Sequence, residues 1–264
     1  MARALIGWSG FVGGNLERAS AFDARYRSTD IDAIRGRTFD LIVSAGLPAA
    51  KWRANQDPEG DWEAVSGLMS ALEEVETAEF VLISTVDVYG TPVGVDEADR
   101  APEGLTPYGS HRLAFEEFVG ERFPVYRIVR LPALMGPGLR KNVLFDLIHR
   151  RQLDVINPDS EFQWYDVRDL WEDLGRIRQA DAEVVNLIPA PVATSHILGE
   201  LFPDVAVGQE AGPTVRYDVR TRYARLFGGQ GAYITDEREA LSRIARFVED
   251  VREGSIQCAT PSPT

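Results

Sequence analysis

Cysteine is almost absent from this sequence. Its 264 residues include one, Cys258, in a polar C-terminal stretch. No disulfide framework can form, which points to a reducing, cytoplasmic setting. Histidine is scarce too, at three residues. A zinc site has little to draw on, and no metal is expected. Lysine is nearly missing: Lys51 and Lys141 stand alone among 28 basic residues, the others being arginine. Such a bias fits a GC-rich genome better than a basic function. The 28 basic residues face 41 acidic ones, a formal net charge of −13. That balance argues against nucleic acid as a partner and against attraction to an anionic membrane. No apolar run approaches the ~18 residues of a membrane span. The first apolar stretch, Ala4-Leu5-Ile6, meets Gly7 at once, so no signal peptide is read there.

What remains is globular material, 44% hydrophobic and 26% charged. A chain of this length buries roughly three quarters of its surface on folding, as two domains or one large α/β unit. The pattern is strand, glycine turn, helix, then repetition. Strands are predicted over 3–6, 24–28, 39–45, 80–84 and 125–131, and helices over 11–19, 61–75 and 107–121. In the second helix Val65, Leu68, Met69 and Leu72 recur on one face. In the third, Thr106 is the expected N-cap and Pro107 the first helical residue. Continuous apolar strands such as FDLIVSA (39–45) suit a sheet covered on both faces. Strands alternating with helices mean a parallel sheet. The expected fold is therefore α/β, a Rossmann-type doubly wound parallel sheet occupying residues 1–138.

Past residue 138 the pattern loosens. Helices are expected over 142–152, 167–178 and 194–202, and a strand over 184–188. A terminal helix spans 236–252, opened by a capping box of Asp236 and Glu239. Residues 139–254 are read as completing the sheet and forming a small substrate region, and 255–264 as a disordered tail.

The turn GWSGFVG (7–13) follows the first strand and opens the first helix. Gly7, Gly10 and Gly13 let the backbone turn sharply. With Ser9, Phe11 and Val12 they would bring a pyrophosphate to the free N–H groups of a helix N-terminus. A purely structural glycine turn is the alternative. The second strand ends in Arg27-Ser28, a guanidinium and hydroxyl suited to the 2′-phosphate of NADP, with NAD the other possibility. Asp30 is then an adenine-side contact.

Three stretches point the same way: GWSGFVG (7–13), LISTVDVYG (82–90) and PYGSHR (107–112). RLPALMGPG (130–138) and FQWYDVRDL (162–170) add to them. Together they resemble the extended short-chain dehydrogenase/reductase family, the NAD(P)-dependent epimerases, dehydratases and reductases of nucleotide sugars. The resemblance covers about residues 3–190. It implies a cytoplasmic oxidoreductase or epimerase acting on a sugar or other carbonyl metabolite, with a homodimer as a possible assembly. It further implies that Tyr108 exchanges a proton at the reacting oxygen and that Thr85 polarises the carbonyl. Gly46, after the third strand, and Leu131, ending the fifth, become further cofactor contacts.

Two departures accompany the resemblance. The family has a lysine four residues after its tyrosine, and Arg112 stands there. Tyr108 and Arg112, at i and i+4, share one helix face, so the positive charge is kept. The arginine fork, however, cannot place one compact ammonium. A tyrosine working near neutral pH needs its pKa lowered by about two to three units, and a nearby cation supplies one to three. The second departure is Val86, where sugar dehydratases carry an acid, which disfavours dehydration. Asp87 remains as a base or a turn cap. His111 is either a relay or a flank residue. Lys51, Asp87, Asn142 and Trp164 are the expected substrate contacts. A competing reading is a dinucleotide-binding sensor or scaffold with a degraded site.

Overall fold

The computed structural model describes residues 2–99 and 103–259, and these fall into two compact units. The first unit comprises Met1–Thr91, Glu97–Leu131 and Leu170–Asn186. Its centre is a six-stranded sheet: β1 (Arg3–Ile6), β2 (Ala24–Tyr26), β3 (Leu41–Ser44), β4 (Phe80–Thr85), β5 (Tyr126–Leu131) and β6 (Val184–Asn186). All pairings are parallel, in the order β2-β1-β3-β4-β5-β6. The chain leaves β1 to one side for β2 and returns on the other for β3. That reversal creates the crevice where ligands bind in open α/β sheets.

Five helices accompany the sheet: α1 (Phe11–Ala19), α2 (Lys51–Gln56), α3 (Pro58–Leu72), α4 (Pro107–Arg122) and α5 (Leu170–Gln179). Alternation along the strands sends Ile42, Phe80 and Leu82 to one face. There they meet Val65, Leu68 and Leu72 of α3 and Phe115 and Val119 of α4. Leu41, Val43 and Val81 take the other face, beneath Trp171 and Leu174 of α5. Double coverage explains why β3 and β4 are almost wholly buried.

The expected doubly wound α/β sheet is present, with shifts at element ends. α3 begins at Pro58 rather than 61, because Asp57 caps it by accepting from the Gly60 N–H at 3.0 Å. β2 stops at Tyr26, since Asp30 turns the chain by accepting from the Arg27 N–H at 2.7 Å. Helix α2 stands between the third strand and α3, where the sequence pattern predicts no element.

The second unit comprises Pro92–Asp96, Pro132–Asp169 and Leu187–Thr264. It holds short paired strands, Ala133–Met135 with Trp164–Asp166 and Glu161–Phe162 with Val192–Ala193. Helices Val143–His149, Thr194–Leu201 and Glu237–Arg252 complete it. The first ends at His149, short of 152, because Arg150 turns left-handed at φ 51°. Asp236 caps the last as expected, accepting from the Glu239 N–H at 2.8 Å. Of the terminal stretch expected to be disordered, residues 260–264 lie outside the described residues. Its described part is held: Ala259 donates to the Leu139 carbonyl and Gln257 accepts from the Gly138 N–H.

Candidate active site

The glycine turn caps β1. Gly7 has φ +81°, and a side chain on it would drive a Cβ to 2.3 Å from the Ala45 carbonyl oxygen. Gly13 is as confined, its Cβ falling 2.1 Å from the Gly7 oxygen. Gly10 is exposed, and its Cβ would meet the Gly7 oxygen alone, at 3.2 Å. Two glycines are thus required by packing and one opens to solvent. Ser9 is exposed beside Gly10, and Phe11 and Val12 begin α1, whose first turn carries no acidic residue. Gly46 lies against Gly7, its Cα 2.8 Å from where a Gly7 Cβ would stand. Adjacent carboxyl ends of β1 and β3 therefore bring the glycine turn and Gly46 together.

Thr85 ends β4, in register with Leu131 of β5. Its Oγ1 accepts from the Asp87 N–H at 3.2 Å, starting the short helical turn Val86–Val88. Tyr108, in the first turn of α4, lies close to the Thr85 side chain. Lys51 Nζ donates to Asp87 Oδ1 at 2.7 Å. Thr85, Tyr108, Asp87 and Lys51 thus form one cluster, gathered from β4, its following turn, α4 and α2. Burial pushes the Tyr108 phenol above the ordinary tyrosine value. Arg112 opposes that push, Asp87 adds to it, and Lys51 and the Thr85 hydroxyl oppose it. The lowering expected from the i, i+4 cation does not prevail, because desolvation is the larger effect.

Arg112 faces inward. It is 1% exposed and binds Asp61 with both terminal nitrogens, Nη2 to Oδ1 at 2.9 Å and Nη1 to Oδ2. Nη2 also donates to the Pro48 carbonyl, and Nη1 to that of Tyr108 at 3.4 Å. Its Cζ lies over the Tyr108 ring, 4.0 Å from the centroid. His111 turns to the same carboxylate, Nδ1 to Asp61 Oδ2 at 2.8 Å. Burial disfavours the Asp61 charge. The bonds from Arg112 and His111 outweigh it and hold the carboxyl below its usual range.

Two members of this assembly were missed in the sequence. Asp61 shares the α3 face of Val65, Leu68 and Leu72. A carboxylate on an apolar stripe is the signal that could have exposed it. Asn55 accepts from the Tyr108 N–H at 3.1 Å, and nothing in its surroundings marks it.

The other expected residues lie apart from the cluster or in the second unit. Arg27 and Asp30 form an exposed pair at 3.5 Å, and Ser28 is exposed beside them. Asn142 caps its helix, accepting from the Phe145 N–H, and donates to the Leu134 carbonyl. Trp164 is 1% exposed within its strand. Among the described residues no group of His, Cys, Asp and Glu is placed to hold a metal ion. No helix there is long and apolar enough to cross a membrane.

A scan against known protein families gives no match, and neither does a search of curated protein sequences. Solved structures do match. UDP-glucose 4-epimerase of Thermotoga maritima, with UDP-glucose, superposes with a TM-score of 0.75 at 14% identity, over 97% of this chain and 100% of that one. A dTDP-4-dehydrorhamnose reductase of Clostridium acetobutylicum gives 0.72 at 16%, over 96% and 100%. RMD of Pseudomonas aeruginosa, complexed with NADPH, gives 0.69 at 19%, over 95% and 100%. At these identities the likeness is one of fold. The chain has the Rossmann-type architecture of nucleotide-sugar epimerases and reductases, along nearly its whole length.

Proposed function

We propose that the chain belongs to the extended short-chain dehydrogenase/reductase family and is a nicotinamide-dependent reductase or epimerase of a nucleotide sugar or related carbonyl metabolite. The observation that carries this reading is the closeness of the Tyr108 phenol to the Thr85 hydroxyl at the carboxyl end of β4. It puts a phenol and a hydroxyl side by side at the sheet edge that holds the glycine turn. The fold neighbours support the class, since they include structures solved with NAD and UDP-glucuronic acid or with NADPH.

The residues fit a dinucleotide. Gly10 leaves an open approach to the start of α1, where unpaired backbone N–H groups and the helix dipole favour a pyrophosphate. Gly7, Ser9, Phe11, Val12, Gly13 and Gly46 would line that approach, with Leu131 further along the edge. Arg27 and Ser28 favour NADP over NAD. A bound nicotinamide supplies or accepts the hydride. Tyr108 exchanges the proton at the substrate oxygen, and Thr85 orients that oxygen. With its pKa raised, Tyr108 is a neutral phenol at physiological pH and acts as the donor in the reducing direction. Asp87 and Lys51 contact the substrate.

The test is calorimetry with NADH and NADPH, followed by turnover assays on UDP-glucose and dTDP-4-dehydrorhamnose. Binding of one cofactor and turnover lost in Tyr108→Phe are the expected results. Binding of neither cofactor, or wild-type turnover in Tyr108→Phe, overturns the reading.

A further inference from the structure

Two cations stand near Tyr108, and they differ in every respect that governs ligand contact. Arg112 is 1% exposed, with both terminal nitrogens committed to Asp61 and to the Pro48 and Tyr108 carbonyls. Its face is occupied by the Tyr108 ring. Turning it toward a ligand would strand Asp61, whose side chain is 4% exposed. An uncompensated buried charge is strongly unfavourable.

Lys51 has the opposite character. Its side chain is 44% exposed. An ammonium is compact and carries three rotatable donors. Its partner Asp87 is tied in turn to the reacting pair, because the Asp87 N–H donates to Thr85 Oγ1, and Thr85 neighbours Tyr108. The segment leading into α2 begins at Gly46, packed on Gly7. Lys51 therefore lies on the stretch of chain that joins the glycine turn to the Tyr108 cluster.

We propose that Lys51 is the cation that meets the dinucleotide and the substrate beside Tyr108, and that Arg112, fixed by Asp61, is a positioning residue that orients the Tyr108 ring. This inference rests on the proposed dinucleotide chemistry and specifies which side chain serves it. The charge has moved from α4, where the resemblance implies a lysine, to α2.

Because the chain has two lysines, wild-type protein provides the test. Limited acetylation read by peptide mass spectrometry reports Lys51 and Lys141 separately, after calorimetry has identified which of NADPH and NADH binds. Saturation with that cofactor is expected to slow Lys51 acetylation about tenfold and to leave Lys141 unchanged. Lys51→Met should weaken cofactor binding about tenfold, the size of one charge-assisted contact, and Lys51→Arg should weaken it less. Arg112→Lys should leave affinity within about twofold and shift the ring resonances of Tyr108 in tyrosine-labelled protein, assigned with Tyr108→Phe. Unchanged Lys51 acetylation under bound cofactor overturns the inference while leaving the dinucleotide reading intact. So does an Arg112→Lys variant that loses as much affinity as Lys51→Met. Binding of neither cofactor removes both.

Discussion

The guanidinium of Arg112 lies over the Tyr108 ring, its Cζ 4.0 Å from the ring centroid, one helical turn along α4. A cation over a ring face attracts its π-electrons, and here Asp61 clamps that cation through both terminal nitrogens. The ring is held by a carboxylate two contacts away, on α3. Placement of the phenol thus depends on an ion pair that need not touch substrate.

The pair should therefore show itself in stability. Asp61→Asn keeps the shape but leaves Arg112 charged and buried, with an expected cost of ~3–5 kcal/mol at neutral pH. The Asp61 carboxyl is held below its usual value. Its contribution is therefore fully present above the unfolded value, about pH 4, and is lost as pH falls through the lower folded value. Urea unfolding over a pH series should find the gap between wild type and Asp61→Asn widest near neutrality and closing in acid. A gap that stays constant into acid would assign the cost to something other than the charge.

The glycine turn separates folding from binding. Gly13→Ala puts a Cβ 2.1 Å from a backbone oxygen, and overpacking of this kind costs ~1–3 kcal/mol. Its melting temperature should drop by several degrees. Gly10→Glu meets the Gly7 oxygen alone, at 3.2 Å, from an exposed position. It should melt near the wild type yet bind neither NADPH nor NADH, because its carboxylate occupies the pyrophosphate approach. If Gly10→Glu binds both normally, the dinucleotide lies elsewhere.

What the sequence disclosed follows from how local each signal is. The βαβ order, the buried strands and the Thr106 and Asp236 caps rest on patterns within a few residues, and each appears in the fold. The gathering of Thr85, Tyr108, Asp87 and Lys51 was legible because parallel strands bring their carboxyl ends to one edge. The fate of Arg112 was not, because it depends on Asp61, 51 residues away. Helix α2 was hidden as well. It is six residues long and has no side-chain cap, too little for periodicity to register.

Tyr108→Phe removes the hydroxyl and keeps the ring under Arg112. Folding and cofactor affinity should survive, while turnover falls by about two to four orders of magnitude. Because the folded-state pKa is raised, the neutral phenol persists into alkaline solution. Turnover in the reducing direction should stay level from neutral to mildly alkaline pH, and the oxidising direction should quicken as pH rises. A reducing rate that falls near neutrality in step with a single ionisation would assign the proton to another group. Asp87 would then be the next residue to change.

On the proposed reading, cofactor preference turns on the end of β2. Arg27 is half exposed, and its side chain meets Asp30 at 3.5 Å. Exposed pairs of this kind contribute about 0–1 kcal/mol, so a ligand phosphate can compete for the guanidinium at little cost. A charge-assisted bond to the 2′-phosphate of NADPH is worth ~1.5–3 kcal/mol, or about ten- to a hundredfold in affinity. Arg27→Ala should therefore weaken NADPH by that factor and leave NADH nearly unchanged. Asp30→Asn should leave or improve NADPH binding, since it removes a negative charge beside the phosphate. Isothermal titration of both cofactors against the three proteins measures all of this. A wild type that prefers NADH, with Asp30→Asn the variant that loses it, would reverse the assignment. The carboxylate would then be reading the ribose hydroxyls, and Arg27 would serve only as its surface partner.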